Sequence, residues 1–298
     1  MIEGLSVPMV TLFGADGALD GAKNARFARA LCDAHVDHVF VLGSIGEFPL
    51  VTESEREELL ESVIESLTWR TDAWVGCGAP STALAVARAG AAEEAGAAVV
   101  VAVPPYYLHP TDASIARYYR ALRAALGIPL LAYNIPSLVG YSLAPSMVQE
   151  LAREKVLAGI KDTSGTIESV RAFLKGAPDG FAVLPGNDPL AREAIADGAS
   201  GAVMGLGNIV PKLCVELIAA ARKPNADRAA ELHAIVGSLA EAVGQGPFPS
   251  TVKFLAGRLR RAEVGYRAPY DPLSSEEEAR VLAALTAIEP KLAPFLTP

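Results

Sequence analysis

Lys161 closes the apolar run of "VLAGIKDTSG" (residues 156–165), in which Val156, Leu157, Ala158 and Ile160 read as a short strand buried on both faces. A lysine with the ordinary pKa near 10.4 is neutral only about 0.04% of the time at pH 7, but desolvation disfavours the ammonium and yields an amine nucleophile. Such an amine attacks a ketone to form an iminium, an electron sink that stabilises a carbanion on the adjacent carbon. The chemistry also needs a proton carrier, for which a buried tyrosine serves, and carboxylate-binding donors, for which backbone N–H groups of a glycine turn serve. The chain offers Tyr133 in "PLLAYN", Tyr106 and Tyr107 in "VPPYYL", and the turn Gly43-Ser44-Ile45-Gly46-Glu47. The competing role for Lys161 is an ion pair with Asp162 or another carboxylate. Of the eight lysines, the other seven fall in loops or helical segments with access to water, which sets this one apart.

These residues all stand at the ends of apolar runs, and the runs recur. They are "VPMVTLF" from 7, "VDHVFVLG" from 36, "AWVGCG" from 73, "AAVVVAVP" from 97, "PLLAYN" from 129, "VLAGIKD" from 156, "FAVLPG" from 181 and "GAVMGL" from 201. Their length and β-branched content suit parallel strands covered on both faces. Helices lie between them. In "TESEREELLESVIESL" Thr52 and Glu55 form a capping-box pair and Leu59, Leu60, Val63, Ile64 and Leu67 make one apolar face. "STALAVARAGAAEEAG" from 81 opens on a Ser/Thr cap and closes at Gly96. This repeat predicts an α/β fold, a (β/α)8 barrel over residues 1–225. No GxGxxG follows the first strand, which argues against a doubly wound sheet. Residues 226–298 read as helices packed on the barrel in the same domain. In such a barrel the C-terminal strand ends share one mouth, so Lys161, Tyr133, the tyrosine pair, the Ser44 turn and Gly186-Asn187-Asp188 converge.

Bulk properties narrow the function. At 298 residues, with 51% hydrophobic and 20% charged residues, the chain can bury a large core. A formal net charge of −8 offers no electrostatic footprint for nucleic acid or an anionic membrane. The longest apolar run, residues 95–108, contains two prolines and is too short to span a bilayer. Cys32, Cys77 and Cys214 are sparse and form no CxxC pair, so free thiols and a cytoplasmic location are expected. His35 and His38 have no convergent Cys or carboxylate, and no metal site is expected. Glu47 reads as a helix-dipole or rim partner, and Arg258, Arg260 and Arg261 as a solvated helix face.

Four motifs, "GSIGEFPLVTESER", "PPYY", "YNIPSLVG" and "GIKDTSG", in this order and at these spacings, resemble the dihydrodipicolinate synthase / N-acetylneuraminate lyase family. The resemblance runs from about residue 5 to 295. It implies a class I, Schiff-base-forming (β/α)8 lyase or aldolase that uses pyruvate and an aldehyde, with no cofactor beyond the covalent lysine adduct. It further implies Lys161 as the Schiff-base residue, Tyr133 as proton shuttle, and Ser44 and Tyr107 completing a relay, Tyr107 reaching into a neighbouring subunit's site. Ile45, Gly186 and Val203 would line the pyruvate pocket. A homotetramer, a dimer of dimers, is the implied assembly.

The departures from the pattern bear on the second substrate. Synthases of the family carry two threonines where this chain has Ser44 and Ile45, and an arginine where it has Leu138. An isobutyl group cannot replace a charge-assisted, bidentate guanidinium, which speaks against aspartate semialdehyde. Sialic-acid lyases usually carry a Glu where this chain has Pro189 after Asp188. "GS-x-GEF" and "GIKDT" look most like 2-keto-3-deoxy-sugar-acid aldolases, so cleavage or formation of an acid such as 2-keto-3-deoxygluconate is the leading expectation. Thr163, Asn187, Asp188 and Asn208 would then hydrogen-bond the aldehyde's hydroxyls. The alternatives are a 4-hydroxy-tetrahydrodipicolinate synthase, a non-catalytic keto-acid-binding family member, and a metal-dependent class II enzyme on the same fold.

Overall fold

The computed structural model describes residues 2–223, 226–260 and 263–296. Eight strands, β1 (Gly4–Pro8), β2 (His38–Val41), β3 (Asp72–Gly76), β4 (Val99–Ala102), β5 (Leu130–Asn134), β6 (Gly159–Asp162), β7 (Ala182–Pro185) and β8 (Gly201–Val203), form one parallel sheet. Its order is β7-β6-β5-β4-β3-β2-β1-β8, and β7 comes back alongside β8, so the sheet is a nearly closed (β/α)8 barrel. The outer layer is α1 (Gly21–Asp33), α2 (Glu53–Ser66), α3 (Thr82–Glu94), α4 (Asp112–Ala124), the one-turn α5 (Pro136–Val139), α6 (Pro145–Arg153), α7 (Ile167–Leu174), α8 (Ala191–Ala196) and α9 (Pro211–Ala221). Helices α10 (Ala226–Val243), α11 (Ser250–Arg260) and α12 (Ser275–Leu296) follow, with α10 against α9 and α12 against α10.

Strand alternation sorts the apolar residues into two cores. Val99, Val101 and Val103, Leu131, Tyr133 and Ile135, and Ala182 and Leu184 fill the barrel interior with Phe40, Trp74 and Val203. The residues between them, such as Val100, Ala132, Ile160 and Val183, face the helices. The capping box at Thr52 and Glu55 opens α2 as expected, with Leu59, Leu60 and Val63 buried and Ile64 and Leu67 partly so. Ser81 caps α3, which ends at Glu94 just before the left-handed Gly96.

The first strand differs from the expected one: it starts three residues before Val7 and stops at Pro8. Residues 9–12 are buried and apolar except for Thr11, but side chains take up much of their backbone polarity in place of a strand ladder. Val10 N–H donates to Asn208 Oδ1 (3.0 Å), and Leu12 exchanges two bonds with the Asn24 amide. Apolar content alone cannot tell such a segment from a strand. The arginine cluster is also corrected in part. Arg260 is half-buried over the Phe27 ring (4.3 Å), and burial takes its pKa down to about 10. Arg258 is exposed, and Arg261 lies outside the described residues.

Arg267 ties the C-terminal segment to the barrel rim. It donates to the carbonyls of Gly17 and Leu50 (both 2.8 Å) and grips both oxygens of Glu55 (2.6 and 2.8 Å). The Arg267 hydrogen bond, opposed by burial, holds the Glu55 carboxyl at about 2, below its ordinary 4.5. Because the folded pKa lies below the unfolded one, this contribution is fully present above pH 4.5 and is lost as pH falls towards 2. Arg267→Ala is expected to cost about 1–3 kcal/mol at pH 7. The gap from wild type in urea midpoints should narrow between pH 5 and pH 3; a gap independent of pH would assign the loss to packing on Phe13.

Candidate active site

The register of β5 on β6 decides what Lys161 meets. Tyr133 is the Cα partner of Lys161, and Asn134 the partner of Asp162. In a parallel pair, residues in register point to the same side, so Tyr133 and Lys161 face the barrel interior while Asn134 and Asp162 face outward. The Lys161 ammonium lies 3.8 Å from the Tyr133 ring centre and 5.2 Å from that of Phe40. Asp162 is occupied elsewhere: Oδ1 accepts from Asn134 Nδ2 (2.7 Å) and Oδ2 from the Ser164 hydroxyl (2.9 Å). Lys161 is only 4% exposed, and among the described residues no carboxylate lies within ion-pair distance of it. The ion-pair role for Lys161 is thereby excluded for Asp162.

Tyr133 is the second element. Burial pushes its phenol up, but the Lys161 cation and the polar contacts with Lys161, Ser44 and Thr163 outweigh that, and its pKa falls below the ordinary 10. The hydroxyls of Ser44 and Tyr133 are 3.5 Å apart. Gly186 explains its own identity: a Cβ there would fall on Thr163 Oγ1 and within 2.8 Å of Lys161 Cε. Val203 is buried at the end of β8, and Ile45 Cδ1 packs at Gly205.

The turn after β2 is held in an unusual shape. Leu42 and Glu47 both have left-handed φ, 60° and 52°. Thr11 donates its hydroxyl to Gly46 O (2.6 Å), and buried Glu47 is ion-paired with Lys253 of α11. Burial pushes the Glu47 carboxyl up and the Lys253 amine down, and their attraction only partly restores both. Among the described residues the N–H groups of Ser44 and Ile45 have no hydrogen-bond partner, so the turn that brings the Ser44 hydroxyl to Tyr133 also holds two free donors. Glu47 is therefore the anchor of the turn rather than a rim group. Lys253, one of the seven lysines expected in water, is 0% exposed and lies 4.5 Å from the Phe13 ring centre.

Two of the expected hydroxyl-binding residues are otherwise engaged. Asn208 is fully buried, with Nδ2 donating to the carbonyls of Pro8 (2.8 Å) and Gly205 (2.9 Å) and Oδ1 accepting from Val10. Asp188 accepts from the N–H groups of Leu206 (2.9 Å) and Gly205 (3.2 Å), closing the turn after β8. Burial takes its pKa up to about 6 against the pull of those donors. Asn187 Oδ1, by contrast, is buried without a hydrogen-bond partner among the described residues, and buried Thr163 Oγ1 has its polar contact with Tyr133 but no bond of good geometry. Tyr107 does not join the cluster within one chain: it is 89% exposed, with a left-handed φ of 75°. His35 and His38 do not converge on a metal. His38 stacks on Trp74, with Nε2 2.8 Å from Glu3 O, and the described residues hold no cluster of three metal-ligating side chains.

A chamber of about 310 Å³ opens beside Ser44, walled by Phe48, Tyr106, Leu138, Phe248 and Tyr270 among others. Of these, sequence reading had singled out only Leu138 and Tyr106. Phe48 and Phe248 sit in irregular segments, where apolar residues carry no periodic signal. Lys253 was findable, because Val252, Leu255 and Ala256 put it on the buried face of its helix.

A barrel with a buried lysine and tyrosine at adjoining strand ends defines a class I aldolase type of lyase. The chain belongs to the dihydrodipicolinate synthetase family, whose model matches residues 1–288. It is 34% identical over 289 residues to a 4-hydroxy-tetrahydrodipicolinate synthase of Aromatoleum aromaticum, covering 96% of this chain and 98% of that one. It is 35% identical over 286 residues to an uncharacterized DapA-like lyase of Halobacterium salinarum, covering 95% and 93%. Among solved structures it resembles a prophage protein of the dihydrodipicolinic acid synthase family from E. coli K12, in complex with pyruvate (TM-score 0.91, 29% identity, 97% and 99% covered). The 4-hydroxy-tetrahydrodipicolinate synthase of Methylacidiphilum fumariolicum superposes with a TM-score of 0.93 at 27% identity, covering 99% of this chain and 98% of that one. The protein is thus a class I pyruvate aldolase of this family.

Gly186→Ala is expected to keep the fold, because the site is at the barrel mouth, while displacing Lys161 and Thr163. Turnover should fall by about 10²-fold or more, as for misplaced reacting groups. Activity within threefold of wild type, with an unchanged melting temperature, would show that Lys161 has room to spare.

Proposed function

We propose that Lys161 is the Schiff-base residue and that the site forms or cleaves a 2-keto-3-deoxy acid. The observation that carries this is an interior lysine against Tyr133 with no carboxylate partner. The free N–H groups of Ser44 and Ile45 hold the pyruvate carboxylate. The Lys161 amine attacks the C2 carbonyl, water leaves, and loss of a C3 proton from the iminium gives an enamine. The enamine carbon attacks the aldehyde carbon, Tyr133 protonates the new alkoxide, and water releases the product; cleavage runs the same steps backwards. Tyr133, the most buried phenol facing Lys161, relays protons through Ser44, and Tyr107 of a neighbouring subunit completes the relay. No metal takes part in this scheme. The exposed, strained Tyr107 supports a homo-oligomer, with the dimer of dimers as the proposed form.

The second substrate separates two readings. The described walls of the chamber beside Ser44 contain no arginine or lysine, and Leu138 forms part of them. This favours a 2-keto-3-deoxy acid over the condensation with aspartate semialdehyde, although several relatives are named as that synthase. For a sugar acid such as 2-keto-3-deoxygluconate, Thr163 and Asn187 remain as hydroxyl partners.

Borohydride reduction with pyruvate present should add about 72 Da to the peptide bearing Lys161, the mass of a reduced pyruvyl adduct. Tyr133→Phe should still fold and should slow turnover by about 10²–10⁴-fold. An adduct on another lysine, or a loss under threefold in the variant, overturns the assignment.

Wild-type condensation with aspartate semialdehyde is expected to be weak, since a lost charge-assisted partner costs about 1.5–3 kcal/mol. Leu138→Arg should raise it about 10-fold or more. A wild-type kcat/KM of about 10⁵ M⁻¹s⁻¹, within the efficient range, would sink the argument from Leu138.

A further inference from the structure

The chamber beside Ser44 carries a chemical signature distinct from that of a polyhydroxylated substrate. It shares Ser44, Phe48 and Val103 with the narrow cleft lined by Tyr133 and Phe40, so it borders the reacting centre. Four aromatic rings, those of Phe48, Tyr106, Phe248 and Tyr270, line it together with aliphatic Leu50, Val103, Ile135, Leu138 and Val139. Phe48 and Tyr106 meet edge to face, 6.1 Å between centres and 80° between planes, which fixes one wall. Leu138 (58%), Phe248 (50%) and Tyr270 (41%) keep much of their surface open. The charged group in the lining, Glu47, is turned away into its pair with Lys253.

A glyceraldehyde or other polyol chain placed there would lie mostly against apolar wall, with Ser44, Tyr106 and Tyr270 as the hydroxyl-bearing residues of the described lining, at a cost of about 1–3 kcal/mol for each hydroxyl left unpaired. An apolar ring would instead bury its surface against the four aromatic walls. The groups free to hold hydroxyls, Thr163 and Asn187, belong to the β6 and β7 ends and do not line this chamber.

We propose that the aldehyde half of the substrate carries an apolar, aromatic-sized substituent that occupies this chamber, so that the enzyme joins pyruvate to, or releases it from, an aryl or similarly apolar aldehyde. The proposal rests on the aldolase reading above. The new bond runs from C3 of the lysine-bound enamine to the aldehyde carbon; the aldehyde oxygen gains its proton from Tyr133, and the iminium is hydrolysed by one water, replacing the one lost when it formed. No oxidant or further reactant enters. The hydroxyl on C4 faces Tyr133, and the substituent beyond it points into the chamber.

The test compares benzaldehyde, isobutyraldehyde, glyceraldehyde and aspartate semialdehyde as partners of pyruvate with the intact protein, scored by product formation. In parallel, borohydride trapping of pyruvate on Lys161 reports the lysine chemistry alone. The expected result is a kcat/KM for benzaldehyde about 10-fold or more above that for glyceraldehyde, the discrimination an apolar pocket supports. Leu138→Asn, at an exposed position of a one-turn helix, should reduce that ratio by about fivefold or more. A normal adduct on Lys161 with glyceraldehyde equal or superior to benzaldehyde overturns the proposal while leaving the aldolase reading intact. So does a ratio that Leu138→Asn does not move, which would assign the apolar wall to contact between subunits. Failure of the adduct itself overturns both.

Discussion

Among the described residues two lysines are buried, and only one of them has a carboxylate partner. Lys253 is fully enclosed and ion-paired with Glu47; Lys161 is almost as deeply enclosed and faces aromatic rings instead. Removing an ammonium from water without a counter-ion is among the more costly things a fold can do, and cation–π contact offsets only about 2 kcal/mol of it. Alternation along β6 enforces the isolation, because Asp162 is the next residue and therefore points the other way, into Asn134 and Ser164. The remaining features of the mouth follow from accommodating that one amine: Tyr133 in register beside it, and a glycine where any side chain would displace it.

The paired lysine serves the unpaired one. Truncating one partner of a buried pair typically costs about 3–5 kcal/mol, whereas the pair as a whole contributes little net stability. Its value here is geometric. Glu47 adopts a left-handed backbone, which a non-glycine residue holds only when its surroundings enforce it, and the bond to α11 is such an enforcement. Beside Glu47, Gly46 is tied to Thr11, and among the described residues the N–H groups of Ser44 and Ile45 stay unpaired. The C-terminal part of the chain thus holds the turn through Lys253 of α11, and through Arg267 of the segment between α11 and α12, which binds the Leu50 carbonyl just beyond it.

Much of the architecture was legible because it is periodic. Strand-length apolar runs recurring between capped amphipathic helices admit few folds, whereas at Lys161 the sequence leaves an ion pair with Asp162 open, and only the side to which each residue of β6 points separates the two. The misreadings fall where periodicity ends. Residues 9–12 look like a strand because they are apolar, but the Asn208 and Asn24 side chains replace the ladder. Asn208 looked like a substrate ligand for the same reason that makes it a good backbone mimic: an amide donates and accepts at once. Asp188 is expected from the sequence to bind the aldehyde's hydroxyls, yet its oxygens lie on two N–H groups 17 and 18 residues along the chain, a contact no local pattern reveals. Lys253 was misassigned by type, since lysines usually seek water.

The division between strand ends and loops has a functional consequence. Lys161, Tyr133, Gly186 and Val203 are on or next to β-strands whose register fixes them relative to one another, so the lysine chemistry is set by the scaffold. The chamber beside Ser44 is built differently, with most of its wall from the one-turn helical segment at 48–50, the one-turn α5 and residues 248–249 and 270, none of which shares a ladder. Side chains there can change without moving the lysine, because no backbone hydrogen bond of the barrel depends on them. Identity to relatives of about a third, spread over nearly the whole chain, therefore carries the reaction class much further than it carries the choice of aldehyde. On the proposed reading the second substrate is chosen by the chemistry of those few rim residues, which in this chain include leucine, phenylalanine and tyrosine, whereas a guanidinium would be the matching partner of a carboxylate.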